Sequence, residues 1–375
     1  MKILVIVSCF PPSKGGVEKT SYELAMGLAE RGHEVTVATS SRGMPPGNYV
    51  EQMGPLKVLR YPETRYLFEA PIIPKMAAAA LSEDYDVLHV HGMTPSISDL
   101  AIVFAKLRGK PVVLTYHNDP QESFPSAMAR LASAVYSGLA VGIVRMADAI
   151  VSSTYSYAAS SPILRHIIGA VTIVPWGIKL SSFPRKEGPE LHNHEARVLF
   201  VGQLKRYKGV DVLLDSVAKL NSSDFPMRLD VIGTGPQEVP LRAKADEMDL
   251  NGSVRFWGPV DDKTLLEFYK FCDVVALPSL DRREAFGVVM LEAFASGKPV
   301  VTTNIPGVRE VASLGPGYLT EPNDANSLAD GIMRATKHPE ESYEAGTASR
   351  DRISFERTLD RYESILMHAF EKSRY

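Results

Sequence analysis

Glu284 and Glu292 stand eight positions apart in E-A-F-G-V-V-M-L-E, separated by apolar residues and one glycine. A carboxylate accepts two hydroxyl hydrogen bonds well, as from a ribose or a sugar ring. The run Val274–Pro278 predicts a strand, Leu280–Glu284 a polar loop, and a helix begins near Phe286–Val288 and ends at Gly297. Glu284 then lies just before the helix and Glu292 about one turn inside it. The N–H groups of Phe286, Gly287, Val288 and Val289 have no partner in such a first turn and can seat an anion. Gly287 lets a ligand approach the backbone closely. The pattern suits a molecule carrying sugar, diphosphate and ribose in a row. Taken singly, either acid is as well explained as a solvated loop or helix-face residue.

A second group lies in V-G-Q-L-K-R-Y-K-G, Val201 to Gly209, between a strand and a helix. Lys205, Arg206 and Lys208 put three cations at the strand's carboxyl end, where they can neutralise a leaving diphosphate. A solvated basic loop explains Lys205 and Arg206 equally well, but Lys208 less well, beside a glycine at a helix start. G-G-V-E, Gly15 to Glu18, joins the first strand to the first helix and can aim N–H groups at a ligand; a plain strand–helix turn has the same spacing. I-G-T-G-P, Ile232 to Pro236, resembles the opening of a dinucleotide fingerprint but lacks the third glycine. His89 and His91 alternate along one strand. With no third ligand in view they do not make a metal site, and His91 stays a candidate cleft residue. His117 ends V-V-L-T-Y and opens H-N-D-P, at a strand's carboxyl end where ligands bind; a histidine capping the loop is the bland alternative.

The elements that must position these groups alternate along all 375 residues, a length that favours two domains. Short apolar strands are predicted at Ile3–Ser8, Val35–Thr39, Val87–His91, Val112–Tyr116, Ala149–Ser153 and Val171–Pro175. Helices fall between them, the first from about Glu18 to Arg31. The polar, Pro- and Gly-broken stretch Lys179–Ala196 predicts a linker. The alternation then restarts with strands at Arg197–Val201, Arg228–Ile232, Val254–Phe256, Val274–Pro278 and Pro299–Thr303. Phe355 to about Glu371 is helical with no strand left to pair with, and is expected to pack across the domain junction. Apolar strands alternating with helices argue for parallel sheets covered on both faces. Ligands in such sheets sit beyond the strands' carboxyl ends.

Composition narrows the class further. A net charge of −3 gives no dominant surface for nucleic acid. Two cysteines, Cys9 and Cys272, make neither a disulfide framework nor a zinc site and fit a reducing compartment. The apolar start is short and is stopped by Pro11-Pro12 and Gly15-Gly16, so it predicts a buried strand rather than a signal peptide. Leu131 to Val144 is too short to span a bilayer.

Together, G-G-V-E, T-Y-H, V-P-W-G-I, F-V-G-Q-L-K-R-Y-K-G, E-A-F-G-V-V-M-L-E-A-F-A-S-G-K-P-V-V and the closing S-F-E-R-T-L-D-R-Y occur in an order that resembles the retaining glycosyltransferases of family 4. The resemblance covers nearly the whole chain. It implies the GT-B architecture: an α/β protein of two Rossmann-like, doubly wound domains facing a central cleft, with the C-terminal helix crossing between them. The implied boundaries are an acceptor domain over 1–178, a linker over 179–196, a donor domain over 197–354 and the returning helix over 355–375. It implies that Glu284 bonds donor-sugar hydroxyls, that Phe286, Gly287, Val288 and Val289 meet the diphosphate or sugar through backbone groups, and that Glu292 holds the ribose hydroxyls. Lys208 would neutralise the leaving phosphate, His117 would contact the sugar near the reacting carbon, and Gly16 would give a backbone N–H to the diphosphate. Most members carry Arg at the position of Gln203, so one phosphate-neutralising charge is missing unless Lys205 or Arg206 replaces it.

The expected reaction moves a hexose from a nucleotide sugar, GDP-mannose or a UDP-hexose, to a hydroxyl of a glycan or lipid-linked acceptor, with retention of configuration. No cofactor and no metal are expected. Domain closure would expel water and limit hydrolysis. A cytoplasmic protein is expected, without a nucleic-acid partner. Ala127–Val144 and Tyr66–Leu81 are apolar enough to touch the inner face of a membrane bearing such an acceptor, although a helix facing inward against the sheet explains the first stretch more simply. A nucleotide-sugar epimerase, a phosphorylase and a non-catalytic sugar-nucleotide binding module share this architecture and stay open.

Overall fold

The computed structural model describes residues 1–13, 15–63, 66–67, 70–119, 127–183, 195–223 and 225–374. The chain divides into two compact units, Met1–Pro175 with Thr358–Tyr375, and Trp176–Arg357. Most of the expected linker, residues 184–194, lies outside the described residues.

The first unit is built on eight strands: β1 (Lys2–Val7), β2 (Glu34–Ser40), β3 (Tyr49–Met53), β4 (Leu56–Tyr61), β7 (Val87–His91), β8 (Val112–Tyr116), β9 (Ala149–Ser152) and β10 (Val171–Ile173), with a two-residue ribbon of β5 (Tyr66–Leu67) and β6 (Ala70–Pro71) beside them. Their order is β10-β9-β8-β7-β1-β2-β4-β3, all parallel except the antiparallel β3–β4 pair. Every residue of β7 and β8 is buried, as strands covered on both faces must be. β3 and β4 are absent from the sequence expectation. Their charged residues and the Gly54-Pro55 turn break the apolar run that marks the other strands, and Gly54 adopts a positive φ of 58° there.

The second unit carries β11 (Ala196–Val201), β12 (Met227–Ile232), β13 (Val254–Gly258), β14 (Val274–Leu277), β15 (Val300–Thr303) and β16 (Gly317–Thr320) in the order β13-β12-β11-β14-β15-β16, all parallel. β16 is a further strand that its glycine and tyrosine hid. Val198, Phe200, Leu213, Leu214, Val217, Leu229, Val231 and Ile332 pack into one core between this sheet and its helices.

Both sheets reverse winding direction beside their first strand, between β1 and β7 and between β11 and β14. Loops leaving the carboxyl ends of those neighbours diverge to opposite faces and leave a crevice. Gly16 and His91 follow the first switch point, and Lys208 and Glu284 follow the second.

The motifs at the chain's crossing points have local explanations. In V-P-W-G-I, a Cβ on Gly177 would sit 2.2 Å from the Ser354 carbonyl oxygen. The Ile178 N–H donates to Ile353 at 2.8 Å, and the Phe355 N–H returns to Ile178 at 3.0 Å. The final helix, Phe355–Lys372, belongs to the first unit from Thr358 onward. Arg31 pairs with Asp360 and Glu363 at 2.5 Å each, and Thr358 donates to the Pro175 carbonyl at 2.9 Å. No helix among the described residues is long and apolar enough to cross a membrane.

Candidate active site

The loop after β14 and the loop after β11 meet side by side. The Leu280 N–H donates to the Tyr207 carbonyl at 2.7 Å, so the two backbones are stitched together. Gly209 makes this approach possible: its φ is +68°, and a Cβ there would lie 2.1 Å from the Pro278 carbonyl oxygen. As a result Lys208 and Glu284, 76 residues apart, form an ion pair. Ser279 donates its hydroxyl to the same Glu284 oxygen, Oε2, at 3.1 Å. The other oxygen, Oε1, accepts nothing from the described residues. Burial alone pulls the Lys208 ammonium down, but the Glu284 carboxylate more than offsets it, and the amine sits above its ordinary value.

Gly209→Ala is expected to force the two loops apart. It combines a left-handed backbone with a backbone clash, at a cost of about 2–4 kcal/mol. Differential scanning fluorimetry should show a midpoint several degrees lower; an unchanged midpoint would mean that the stitch is not needed.

Glu284 leads into the helix Val288–Ala295, whose N-cap is Gly287 at φ 78°, ψ 64°. That positive φ strains any residue with a side chain, and a Cβ there would also press on Leu277 Cδ2 at 2.6 Å. The Met290 N–H turns back to the Gly287 carbonyl at 2.9 Å, while the N–H groups of Phe286, Gly287, Val288 and Val289 find no acceptor among the described residues. Four unmatched donors at the helix start that follows this lysine–glutamate pair are chemically able to take an anion. Phe286 is buried, so its side chain serves the core and only its backbone is available.

Glu292 is placed differently from Glu284. It is buried, and its Oε2 accepts the Tyr269 hydroxyl at 2.7 Å. Burial and the Glu292 charge push the Tyr269 hydroxyl well above its ordinary value. Tyr269 was missed in the sequence because it reads as one apolar position of an amphipathic helix, Asp262–Phe271. Gln203, Lys205 and Arg206 are all exposed. I-G-T-G-P has a packing role: a Cβ on Gly233 would lie 2.0 Å from the Gly202 oxygen, and one on Gly235 2.5 Å from the Leu204 oxygen. These glycines bring the two loops close enough for Leu204 to donate to Thr234 at 2.9 Å.

His117 and Gly16 lie in the first unit. Gly16 starts the helix Gly16–Glu30, and a Cβ there would meet open space. His117 is buried, and its Nε2 lies 2.9 Å from His91 Nδ1. The loop that follows is anchored by Asp119, whose carboxylate accepts hydroxyls from Tyr116 at 2.7 Å, Ser161 at 2.5 Å and Tyr157 at 2.9 Å. His89 Nε2 lies 2.8 Å from Thr115 Oγ1. Burial pushes His117 down to about 4 and His91 well below its usual value, so both rings are neutral at pH 7. Among the described residues no group of three or more His, Cys, Asp or Glu side chains is placed to hold a metal ion.

Residues 14–181 match the family model described as Glycosyltransferase Family 4, and residues 184–352 match the model described as Glycosyl transferases group 1. The chain belongs to glycosyltransferase family 4. Among curated proteins this glycosyltransferase is 27% identical to the O-antigen chain mannosyltransferase C of Escherichia coli, with 96% of this chain and 95% of that one covered. It is 29% identical to the phosphatidyl-myo-inositol mannosyltransferase of Mycolicibacterium smegmatis, over 85% of this chain and 80% of that one. Its fold is GT-B. A sucrose-phosphate synthase from Thermosynechococcus elongatus superposes with a TM-score of 0.78 at 22% identity, covering 99% of both chains. WaaG, described as a glycosyltransferase involved in lipopolysaccharide biosynthesis, gives 0.73 at 18% identity, covering 97% of this chain and 99% of that one. The enzyme is a hexosyltransferase.

In this enzyme, Tyr269→Phe keeps the ring and removes one donor from the buried Glu292 carboxylate. Stability is expected to fall by about 1–2 kcal/mol, read as a lower urea midpoint at unchanged slope. An unchanged midpoint would show that the carboxylate does not depend on this hydroxyl.

Proposed function

We propose that this glycosyltransferase takes its hexose from a nucleotide sugar, with GDP-mannose first and UDP-hexoses next, and transfers it with retention. The observation that carries the reading is the Lys208–Glu284 pair set against the four unmatched N–H groups of residues 286–289. The diphosphate lies against those amides, and Lys208 turns from Glu284 to its developing charge as the bond to the sugar breaks. Glu284, released from the ion pair, accepts sugar hydroxyls, and Glu292 accepts those of the ribose. Gly16 and His117, in the first unit, keep the roles that the family resemblance implies for them. The acceptor hydroxyl attacks from the face that the diphosphate leaves, and the departing phosphate oxygen takes its proton. Amides and one lysine then supply the charge stabilisation, without a metal.

The names of the two mannosyltransferase relatives favour mannose and a glycan or lipid-linked acceptor. An acceptor of that kind is reached in the cytoplasm, at the inner face of a membrane.

A thermal-shift panel of UDP, GDP and ADP sugars tests the donor, because a ligand that binds only the folded state raises the midpoint. A selective rise with GDP-mannose is expected. No rise with any sugar nucleotide, or transfer lost on EDTA and restored by manganese, would overturn the respective part.

A further inference from the structure

A third group shares the Lys208–Glu284 ion pair. Ser279 is fully buried and lies two residues beyond β14. Its Oγ donates to Glu284 Oε2 at 3.1 Å. Chemistry fixes the direction of that bond, because an ionised carboxylate has no proton to give. The backbone around Ser279 is held from two neighbours. Thr302 and Thr303 of β15 donate their hydroxyls to the Leu277 and Ser279 carbonyls at 2.8 and 2.5 Å. The Leu280 N–H reaches the Tyr207 carbonyl at 2.7 Å. Ser279 is therefore a donor on a fixed strand end, aimed at one oxygen of one acid.

The two donors on Glu284 differ in kind. Lys208 carries a rotatable ammonium, a point charge that sets little direction for its partner. The last torsion of a glutamate is broad and roughly two-fold, so the side chain itself does not choose which oxygen faces where. Charge keeps the carboxylate near Lys208, and the Ser279 hydroxyl decides that Oε2 is the oxygen held. Oε1 accepts nothing from the described residues and is the oxygen left for a ligand hydroxyl. The difference matters once the ammonium leaves. As Lys208 turns to a departing diphosphate, Glu284 keeps one of its two side-chain bonds, and that bond comes from Ser279.

We propose that Ser279 is a positioning residue for transfer: it holds Glu284 by Oε2 after Lys208 has turned to the diphosphate, so that Oε1 stays in place for a hydroxyl of the donor sugar. This role rests on the proposed donor contacts of Glu284 and Lys208. Without the Ser279 hydroxyl, the carboxylate is free to follow the ammonium toward the leaving group or to turn about its last torsion. Either movement takes an acceptor from the sugar as its bond to the diphosphate breaks. The loss falls on the step in which charge develops, hence on kcat rather than on donor KM.

The test compares the full-length parent, Ser279→Ala and Thr302→Val. Each substitution removes one buried hydroxyl near the carboxyl ends of β14 and β15, but the Thr302 hydroxyl serves the Leu277 carbonyl and not Glu284. Turnover of GDP-mannose or UDP-glucose, whichever raises the parent's melting midpoint more, is followed as release of the nucleoside diphosphate with water as acceptor. Ser279→Ala should lower kcat about 10- to 100-fold, with donor KM and affinity for the free diphosphate within about threefold of the parent. Thr302→Val should keep kcat within about threefold. A kcat for Ser279→Ala within threefold of the parent, or an equal loss in both variants, overturns the role of Ser279 and leaves the donor reading standing. A parent that binds neither GDP nor UDP overturns the donor reading and this role with it. A crystal of the parent soaked with the same diphosphate decides where turnover is too slow or Ser279→Ala does not fold. Glu284 still on Ser279, with Lys208 moved to the diphosphate, is the expected result; Glu284 parted from Ser279, or Lys208 still on Glu284, overturns the proposal.

Discussion

Lys208→Ala is expected to lower kcat by about 100- to 1000-fold, the usual effect of removing one preorganised charge from a developing anion. Two consequences separate this from a folding defect. Lys208 is the partner of a carboxylate whose side chain is only 11% exposed, so the single variant leaves Glu284 underpaired. Stability should fall by about 1–3 kcal/mol. In Lys208→Ala/Glu284→Ala that penalty disappears because no charge is left behind, yet transfer stays lost. Urea titration and single-turnover transfer on the parent and these two variants give both readouts. Transfer by Lys208→Ala within threefold of the parent would falsify the assignment of Lys208 to the leaving group.

Acid should destabilise the first unit well above the pH at which carboxylates titrate. In the unfolded chain His89, His91 and His117 each take a proton near pH 6.5. In the folded protein burial, helped for His89 and His91 by the neighbouring rings, holds His89 to about 3, His117 to about 4 and His91 well below its usual value. Between those limits the unfolded state binds more protons, so stability falls as pH falls. Each histidine contributes about 1.4 kcal/mol per pH unit, or about 2 kcal/mol by pH 5. The effect is absent above pH 7, where the rings are neutral in both states. Urea midpoints at pH 7, 6 and 5 should drop steeply, and His89→Phe should make the drop shallower. A flat profile over that range would mean that these rings gain protons without unfolding.

The Glu284–Glu292 helix start was legible because its chemistry is local. A strand, a polar loop, an obligatory glycine and an apolar run follow one another in sequence, and free N–H groups are a property of any helix start. The same holds for the parallel strands, whose apolar runs stand out. β3, β4 and β16 did not, since charged and small residues interrupt them and only pairing with neighbours makes them strands. I-G-T-G-P shows the converse: a pattern with the look of a ligand loop whose glycines are needed for backbone contact with Gly202 and Leu204.

Residue types and local spacing thus determined the α/β class, the family and the helix start that leaves free N–H groups. Which groups meet was decided only in three dimensions. Lys208 reaches Glu284 because β11 and β14 are neighbours at the point where the sheet reverses, and because Gly209 admits the second loop. Tyr269 became the partner of Glu292, and His91 that of His117, by the same kind of long-range pairing. Periodicity reports which face of an element is apolar. It carries no record of strand order, and strand order sets which side chains share a dry, low-dielectric space where a proton or a charge has a fixed place.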